Sequence, residues 1–380
     1  MKSRNLKIIL ISIFCILEYC TIFYVYRDYF QDTEKDYINE ELKETIKLNN
    51  LAIMISDGTG NYVESGNNTL PTSGYVYNKE LSGCIDADGK IIENSLSVKN
   101  GKISVVVDST SYCYVYYDII PRNLSETVMA LAGTSGSNVY NEGNAGYRYE
   151  GASVNNYITF NDETWRIVGV EEGSSIGLNA GKYYTKIIKD SFFTLMYDTD
   201  GIHANSWNTT SLFLIINGDY YNKTGNYVMN GINADARKLI VDANWYFTPA
   251  DGSGHFEFTS EDYYTNERSD STKFVRDAVG IMYPSDFGYA STQSECQSVK
   301  LNNYNEGCYQ KNWLYNGETQ WTIMPYKTDT SHAIAVSNYA GMESAVTNRH
   351  VVRPVVYLNY DVSIRNNGDG SSTNKYFISR

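Results

Sequence analysis

A chain of 380 residues is too long for one ordinary domain; at roughly 150 residues each, two or three are expected. Hydrophobic residues make up 42%, enough for a core, and charged residues 20%, which counts against disorder throughout and against collagen-like structure. The 31 basic and 44 acidic residues leave a net charge of -13, which repels phosphate backbones and argues against a nucleic-acid partner. Tyrosine stands out at 35 residues; the codon bias of an AT-rich genome and a tyrosine-rich contact surface both account for it.

The N-terminus sets the expected compartment. Lys2, Arg4 and Lys7 precede an apolar run at residues 8–26, which has the length of a spanning helix. Asp28, Asp32, Glu34 and Asp36 follow it, so the positive-inside rule keeps the first residues in the cytoplasm and exports the remainder. Glu18, near the middle, costs roughly 2–3 kcal/mol on insertion scales, which the surrounding Leu, Ile and Phe offset. No small-x-small cleavage site follows, and Tyr24, Tyr26, Tyr29 and Phe30 read as an interfacial belt, so an uncleaved anchor at 1–30 is expected over a signal peptide. Ile13 before Phe14 departs from a pilin start, and Phe14 and Tyr19 before Cys15 and Cys20 depart from a lipobox.

Residues 31–50 are expected to form a helical stalk. Thr33 and Asp36 have capping-box spacing, and Ile38, Leu42 and Ile46 make a narrow stripe that suits self-association or packing against the next domain. From 51 to 120 the period changes to two. Strands at 96–99 and 102–107 flank Asn100-Gly101, a type I′ hairpin signal, and 112–117 gives another strand, so a small β domain is expected. Asp86-Ala87-Asp88-Gly89 lacks the further ligands of a calcium loop and reads as a turn. Residues 121–152 are rich in Gly, Ser and Asn and read as a linker, with a short helix at 125–132. In 153–380, strands at 157–160 and 165–170 flank Asn161-Asp162-Glu163. Asn208 is placed to cap a helix at 211–216 that Asn217-Gly218 ends. Strands follow at 279–282, then at 313–315 and 319–323 around Asn316-Gly317, then at 333–336 and 351–358, the last broken by Pro354. Short strands mixed with short helices predict an α+β class.

Cys84 and Cys113 fall in one expected domain, and Cys296 and Cys308 in another. Two intradomain disulfides are expected outside the cytoplasm, with four free thiols as the alternative. No zinc spacing appears among the cysteines or around His203, His255, His332 and His350, and no cofactor loop is recognisable, so no metal and no cofactor are expected. A hydrolase pairing Cys296 or Cys308 with His332 is the enzyme alternative.

The order of several motifs resembles that of surface proteins from low-GC gut bacteria. These are Cys113-Tyr114-Val115-Tyr116-Tyr117-Asp118, Arg148-Tyr149, Asn155-Asn156-Tyr157-Ile158-Thr159-Phe160-Asn161 and Trp165-Arg166-Ile167-Val168-Gly169-Val170. Further on come Lys186-Ile187-Ile188-Lys189-Asp190, Trp207, Met282-Tyr283-Pro284-Ser285-Asp286-Phe287-Gly288-Tyr289-Ala290, Trp313-Leu314, Trp321-Thr322 and Val352-Arg353-Pro354-Val355-Val356-Tyr357-Leu358. The resemblance spans about 70–380. It implies a C-type-lectin-like α+β fold for 153–380, related to that of formylglycine-generating enzymes. The sequence lacks the Glu-Pro-Asn type calcium motif of sugar-binding lectins.

The expected function is that of a membrane-anchored extracellular binding or adhesion protein. Tyrosine and tryptophan give large contact area at low entropy cost and suit protein and glycan ligands alike. Trp245, Tyr246, Tyr263, Tyr264, Tyr304 and Tyr309 are the candidate contact residues, with framework packing as the other reading of each; Trp165, Trp313 and Trp321 are assigned to core. A structural cell-envelope or pilus-associated component and an envelope enzyme are the alternatives.

Overall fold

The computed structural model describes residues 51–379, apart from 59, 72, 100–101, 108–110, 204–205, 224–230, 250–257, 293–295, 305, 327–329 and 338–339. The chain divides into two compact units, Met1–Ile120 and Pro121–Arg380. Both are sheet-rich, and the described helices are short, giving an α+β architecture. No helix among the described residues is long and apolar enough to cross a membrane. The expected anchor at 8–26, the stalk at 31–50 and the Asn100-Gly101 turn lie outside the described residues.

In the first unit a five-stranded sheet runs in the order Tyr62–Glu64, Leu51–Ser56, Tyr112–Ile119, Tyr75–Ile85, Ile91–Ile92. Leu51–Ser56 and Tyr112–Ile119 pair in parallel, and the other pairs are antiparallel. The two-residue period predicted at 112–117 is realised: Cys113, Val115 and Tyr117 are buried and alternate with more exposed tyrosines. They pack with Leu51, Ile53, Cys84 and Ile103, the last carried by the predicted hairpin Leu96–Lys99/Lys102–Val105. Asp86 Oδ1 accepts from the Asp88 and Lys90 amides, which makes the acidic segment a plain turn.

Cys84 and Cys113 face each other in register and form a disulfide. The bridge spans 29 positions, so replacing both cysteines by alanine is expected to cost this unit about 3–4 kcal/mol by loop-closure entropy. All five tryptophans lie beyond residue 120. Hydrogen exchange at 51–119 should therefore accelerate in the double variant, while the denaturant midpoint read by tryptophan fluorescence stays put.

The second unit is built on an eleven-stranded sheet. Its main path is Ile240–Val241, Pro354–Leu358, Tyr183–Lys189, Glu163–Glu172, Tyr157–Phe160, Tyr376–Ser379, Ser363–Ile364, Arg122–Asn123. Tyr147–Tyr149 and Val279–Ile281 join as branches. A second sheet has the order Phe193–Met196, Arg349–Val352, Gln320–Pro325, His332–Ser337, Ala340–Ala345. Pro354 has no N–H to donate, and the chain changes sheets there, between Arg349–Val352 and Pro354–Leu358. Trp165, Trp207, Trp245 and Trp321 lie fully buried in the core.

Three local expectations are corrected. Residues 121–152 are no linker. Asn123 caps the helix Leu124–Ala130, whose Leu124 and Val128 are buried, and Val139–Asn141 and Tyr147–Tyr149 extend the sheet. The few apolar residues of this segment are placed where they bury, and its glycines supply positive-φ turns at Gly133, Gly136, Gly143 and Gly146. Thr210, not Asn208, caps the helix Ser211–Leu214, and the chain continues through a wider π-turn, Ile215–Tyr220. Asn217 does not end the helix; its side chain donates to the Val279 carbonyl at 2.9 Å and accepts from the Val279 amide at 3.0 Å. Residues 313–315 form no hairpin strand, because Asn312 Oδ1 captures the Leu314 amide at 2.8 Å and holds a turn. Gln320–Pro325 pairs with His332–Ser337 instead.

Candidate functional site

The six candidate aromatics do not form a contact surface. Trp245, Tyr263, Tyr264 and Tyr304 are buried, and Tyr246 and Tyr309 are half-buried. Trp245 donates from Nε1 to the Asp277 carbonyl at 2.9 Å and lies against Tyr357 and Tyr283. A Cβ on Gly280 would stand 2.3 Å from the Trp245 ring, so glycine there is what lets the indole lie flat on the strand. Tyr263 and Tyr264 point inward from the helix Ser260–Glu267; Tyr264 donates to the Asn144 carbonyl at 2.6 Å. The Tyr304 hydroxyl accepts from Asn312, and Tyr309 packs on Tyr315. The structure does join Cys84 to Cys113 and Cys296 to Cys308. As expected, Trp165, Trp313 and Trp321 are core residues.

Beside Tyr264 lies a largely buried ionic cluster that the sequence reading missed. Arg148, Glu171 and Lys186 project from neighbouring strands, and Glu267, Arg268 and Asp286 come from two short helices, Ser260–Glu267 and Pro284–Tyr289, and the residue after the first. Gly169 lies in register between Arg148 and Lys186; a Cβ there would meet the Tyr147 carbonyl oxygen at 2.1 Å and Arg148 Cδ at 3.0 Å. Glycine thus leaves room for the Tyr147 carbonyl and the Arg148 side chain.

Every charged group of the cluster meets at least one opposite charge, and the Arg268 Nε is left without a hydrogen-bond partner among the described residues. Arg148 bonds Glu171 and Asp286, each at 2.9 Å, and Lys186 reaches Asp286 at 2.7 Å. Arg268 bonds Glu171 and Glu267, each at 3.1 Å, and lies 3.8 Å from the Tyr264 ring centroid. Asp286 also accepts from the Tyr283 amide at 2.9 Å, capping its own helix, and Glu267 accepts from the Ser285 amide and hydroxyl at 2.9 and 2.6 Å. Burial pushes the Glu171 carboxyl up, but Arg148, Lys186 and Arg268 outweigh it and hold Glu171 down at about 2. Burial raises Glu267 to about 7 despite Arg268 beside it. Three cations against three carboxylates, buried except for Arg268 at the rim, fasten helices to sheet. They offer no opening to a ligand.

A fourth buried carboxyl has no cation bonded to it. Glu150 is fully buried beside Gln297 and Glu142, with no close, well-aligned hydrogen bond to either carboxyl oxygen among the described residues. Burial, with the Glu142 carboxyl nearby, raises it to about 9.

A concave surface of this unit lies elsewhere, at a groove of about 400 Å³. Asn161 and Asp162, both at positive φ, make the tight turn joining Tyr157–Phe160 to Glu163–Glu172. Asn233 caps the helix Ala234–Arg237 and ties it to that turn: its amide donates to Asn161 Oδ1 at 2.7 Å and its Nδ2 to Asp162 Oδ2 at 3.2 Å. Phe160, Ala236, Leu239, Phe377 and Ile378 supply apolar lining. Asp162, Asn233, Asp235 and Lys238 line it with polar groups; Lys238 bonds Asp235 at 2.7 Å on the open side. An apolar floor and a tied polar rim suit binding. The residue types were visible in the sequence, but they come from three separated segments, and Asn161-Asp162 had signalled only a turn.

Among the described residues no three His, Cys, Asp or Glu side chains converge as a metal site. His203 lies 3.3 Å from Asp198, His350 bonds Ser344 at 2.7 Å, and His332 lies 3.1 Å from Ser331; His255 is outside the described residues. Cys296 and Cys308 are joined, so neither is a thiol in this state. Comparison with protein-family models, with curated proteins and with solved structures finds no match for this chain.

Proposed function

We propose that this chain is a membrane-anchored extracellular binding protein whose second unit, of C-type-lectin-like type, takes a glycan or protein ligand in the groove between the Asn161-Asp162 turn and the helix Ala234–Arg237. The observation that carries the reading is the groove's pre-ordered rim: Asn233 holds Asn161 and Asp162 in place before any ligand arrives, which lowers the ordering cost of binding. The two disulfides agree with an exported chain, and the apolar run at 8–26 with a tether.

Glycan and peptide arrays probed with the full chain in detergent test this. Asp162→Gly removes a rim carboxylate yet keeps a turn residue that tolerates positive φ. Combined with Lys238→Ala, it is expected to weaken array binding at least tenfold with the melting temperature unchanged. Array binding that persists at full strength in this double variant would move the ligand out of the groove.

A further inference from the structure

We propose that the outward face of the first unit's sheet is a second, separate binding platform, and that it takes a neutral carbohydrate chain. One side of this sheet covers the core through Cys113, Val115 and Tyr117. The other side is set by register. Tyr112, Tyr114, Tyr116 and Asp118 stand outward on the central strand. Ile85, Gly83, Asn78 and Val76 lie opposite them on one neighbour, and Ala52 and Met54 lie beside Tyr114 and Tyr116 on the other. Ile91 continues the row of Ile85 and Tyr112, and Glu64 that of Met54. An exposed antiparallel face ordinarily carries polar residues. Here three alternate positions of one strand are tyrosine, Tyr112 is 50% exposed and Ile91 72%.

The rings are held rather than loose. Tyr62 meets Tyr116 edge-on at 4.9 Å between centroids and donates its hydroxyl to Asp118, which also accepts from Asn78 at 2.7 Å. Tyr114 and Tyr116 lie 6.5 Å apart with planes tilted by 34°, a shallow stair of two rings. Gly83 stands opposite Tyr114, and a Cβ there would meet nothing within 4 Å, so this side of the Tyr114 ring is uncovered.

Charge selects the occupant. The register positions of this face hold carboxylates at Glu64 and Asp118 and neither lysine nor arginine. Nucleic acid and anionic polymers meet two carboxylates here, and the exposed Lys79 in the register shift of Tyr75–Ile85 is offset by its neighbour Glu80. A neutral sugar chain fits: its C–H faces stack on tyrosine rings, and its hydroxyls find acceptors in Asp118 and Glu64 and a mixed donor and acceptor in Asn78.

Affinity electrophoresis of the full chain in neutral detergent tests the assignment, with gels containing glucan, mannan, galactan or anionic polygalacturonate. Gly83→Val is the decisive variant, because it keeps every tyrosine, suits an extended strand and fills the space beside Tyr114. At least one neutral polymer should retard the wild-type chain, and Gly83→Val and Tyr114→Ala should each weaken that retardation about tenfold. Asp162→Gly should leave it unchanged, which separates this platform from the groove. Preserved hydrogen-exchange protection around Cys84 and Cys113 shows that the variants fold. No retardation by any neutral polymer, retardation by polygalacturonate alone, or full retention in Gly83→Val would overturn the proposal. So would a dimer in sedimentation that Gly83→Val dissociates, which would assign the face to a second copy of this chain.

Discussion

Replacing Glu171 with glutamine is expected to destabilise the second unit by roughly 3–5 kcal/mol, the range for breaking a buried ion pair from one side. Glu171 bonds Arg148 and Arg268, lies 3.6 Å from Lys186 and accepts from the Tyr357 hydroxyl at 3.1 Å. The variant leaves three buried cations facing two carboxylates. For a unit of this size the melting temperature should drop by about 10 °C, read by tryptophan fluorescence. Adding Arg268→Met restores the balance of two against two and should recover part of the loss, whereas independent effects would sum. A loss below about 1 kcal/mol would mean that water reaches the cluster. The same carboxyl sets an acid limb. Its folded-state value, about 2, lies below the ordinary carboxylate range. Its contribution is therefore complete above about pH 4.5 and disappears as pH falls toward 2.

Glu150→Gln is expected to do the opposite, stabilising the protein on the alkaline side. The Glu150 carboxyl is raised to about 9, chiefly by burial. A raised carboxyl favours folding fully below its unfolded value, near 4.3, and that contribution is lost as pH rises through the folded value. The wild-type chain should therefore lose stability steadily up to about pH 9. Glu267, raised to about 7, adds to this decline up to about pH 8. Glutamine keeps the shape and removes the Glu150 titration, so the variant should be flat between about pH 8 and 9. At pH 9 it should exceed wild type by an amount on the order of 2–4 kcal/mol. Glu142 is also raised, by burial, and belongs to the same pair, so the wild-type limb reports the pair rather than one residue. A wild-type chain equally stable at pH 7 and 9 would refute the idea that Glu150 stays protonated in the fold.

Local pattern served well where one face of an element was buried. Alternation at 112–117 and 157–160 appears as strands with alternating burial, and the Asn161-Asp162 turn adopts the positive φ that its residues favour. Pairing of Cys84 with Cys113 and of Cys296 with Cys308 followed from their sharing a domain. Composition misled where side chains competed with backbone, as at Asn312, or where a Gly-rich stretch carried a few well-placed apolar residues, as at Leu124 and Val128. The aromatic candidates failed for a related reason. An aromatic residue in a polar segment reads as exposed, yet Tyr263 and Tyr264 are turned inward by the helix Ser260–Glu267 toward partners more than a hundred positions away, such as Asn144.

The α+β class, the two-residue period of the first unit and the cysteine partners are all readable from the residues alone, because each depends on neighbours within a few tens of residues. That Arg148, Glu171, Lys186, Glu267, Arg268 and Asp286 meet as one cluster, and that Asn161, Asn233, Lys238 and Phe377 border one groove, emerges with the folded chain. A charged residue carries no local mark of its partner. Whether it is a solvated surface group or half of a buried pair depends on which distant strand or helix the fold brings against it, and burial then sets its protonation.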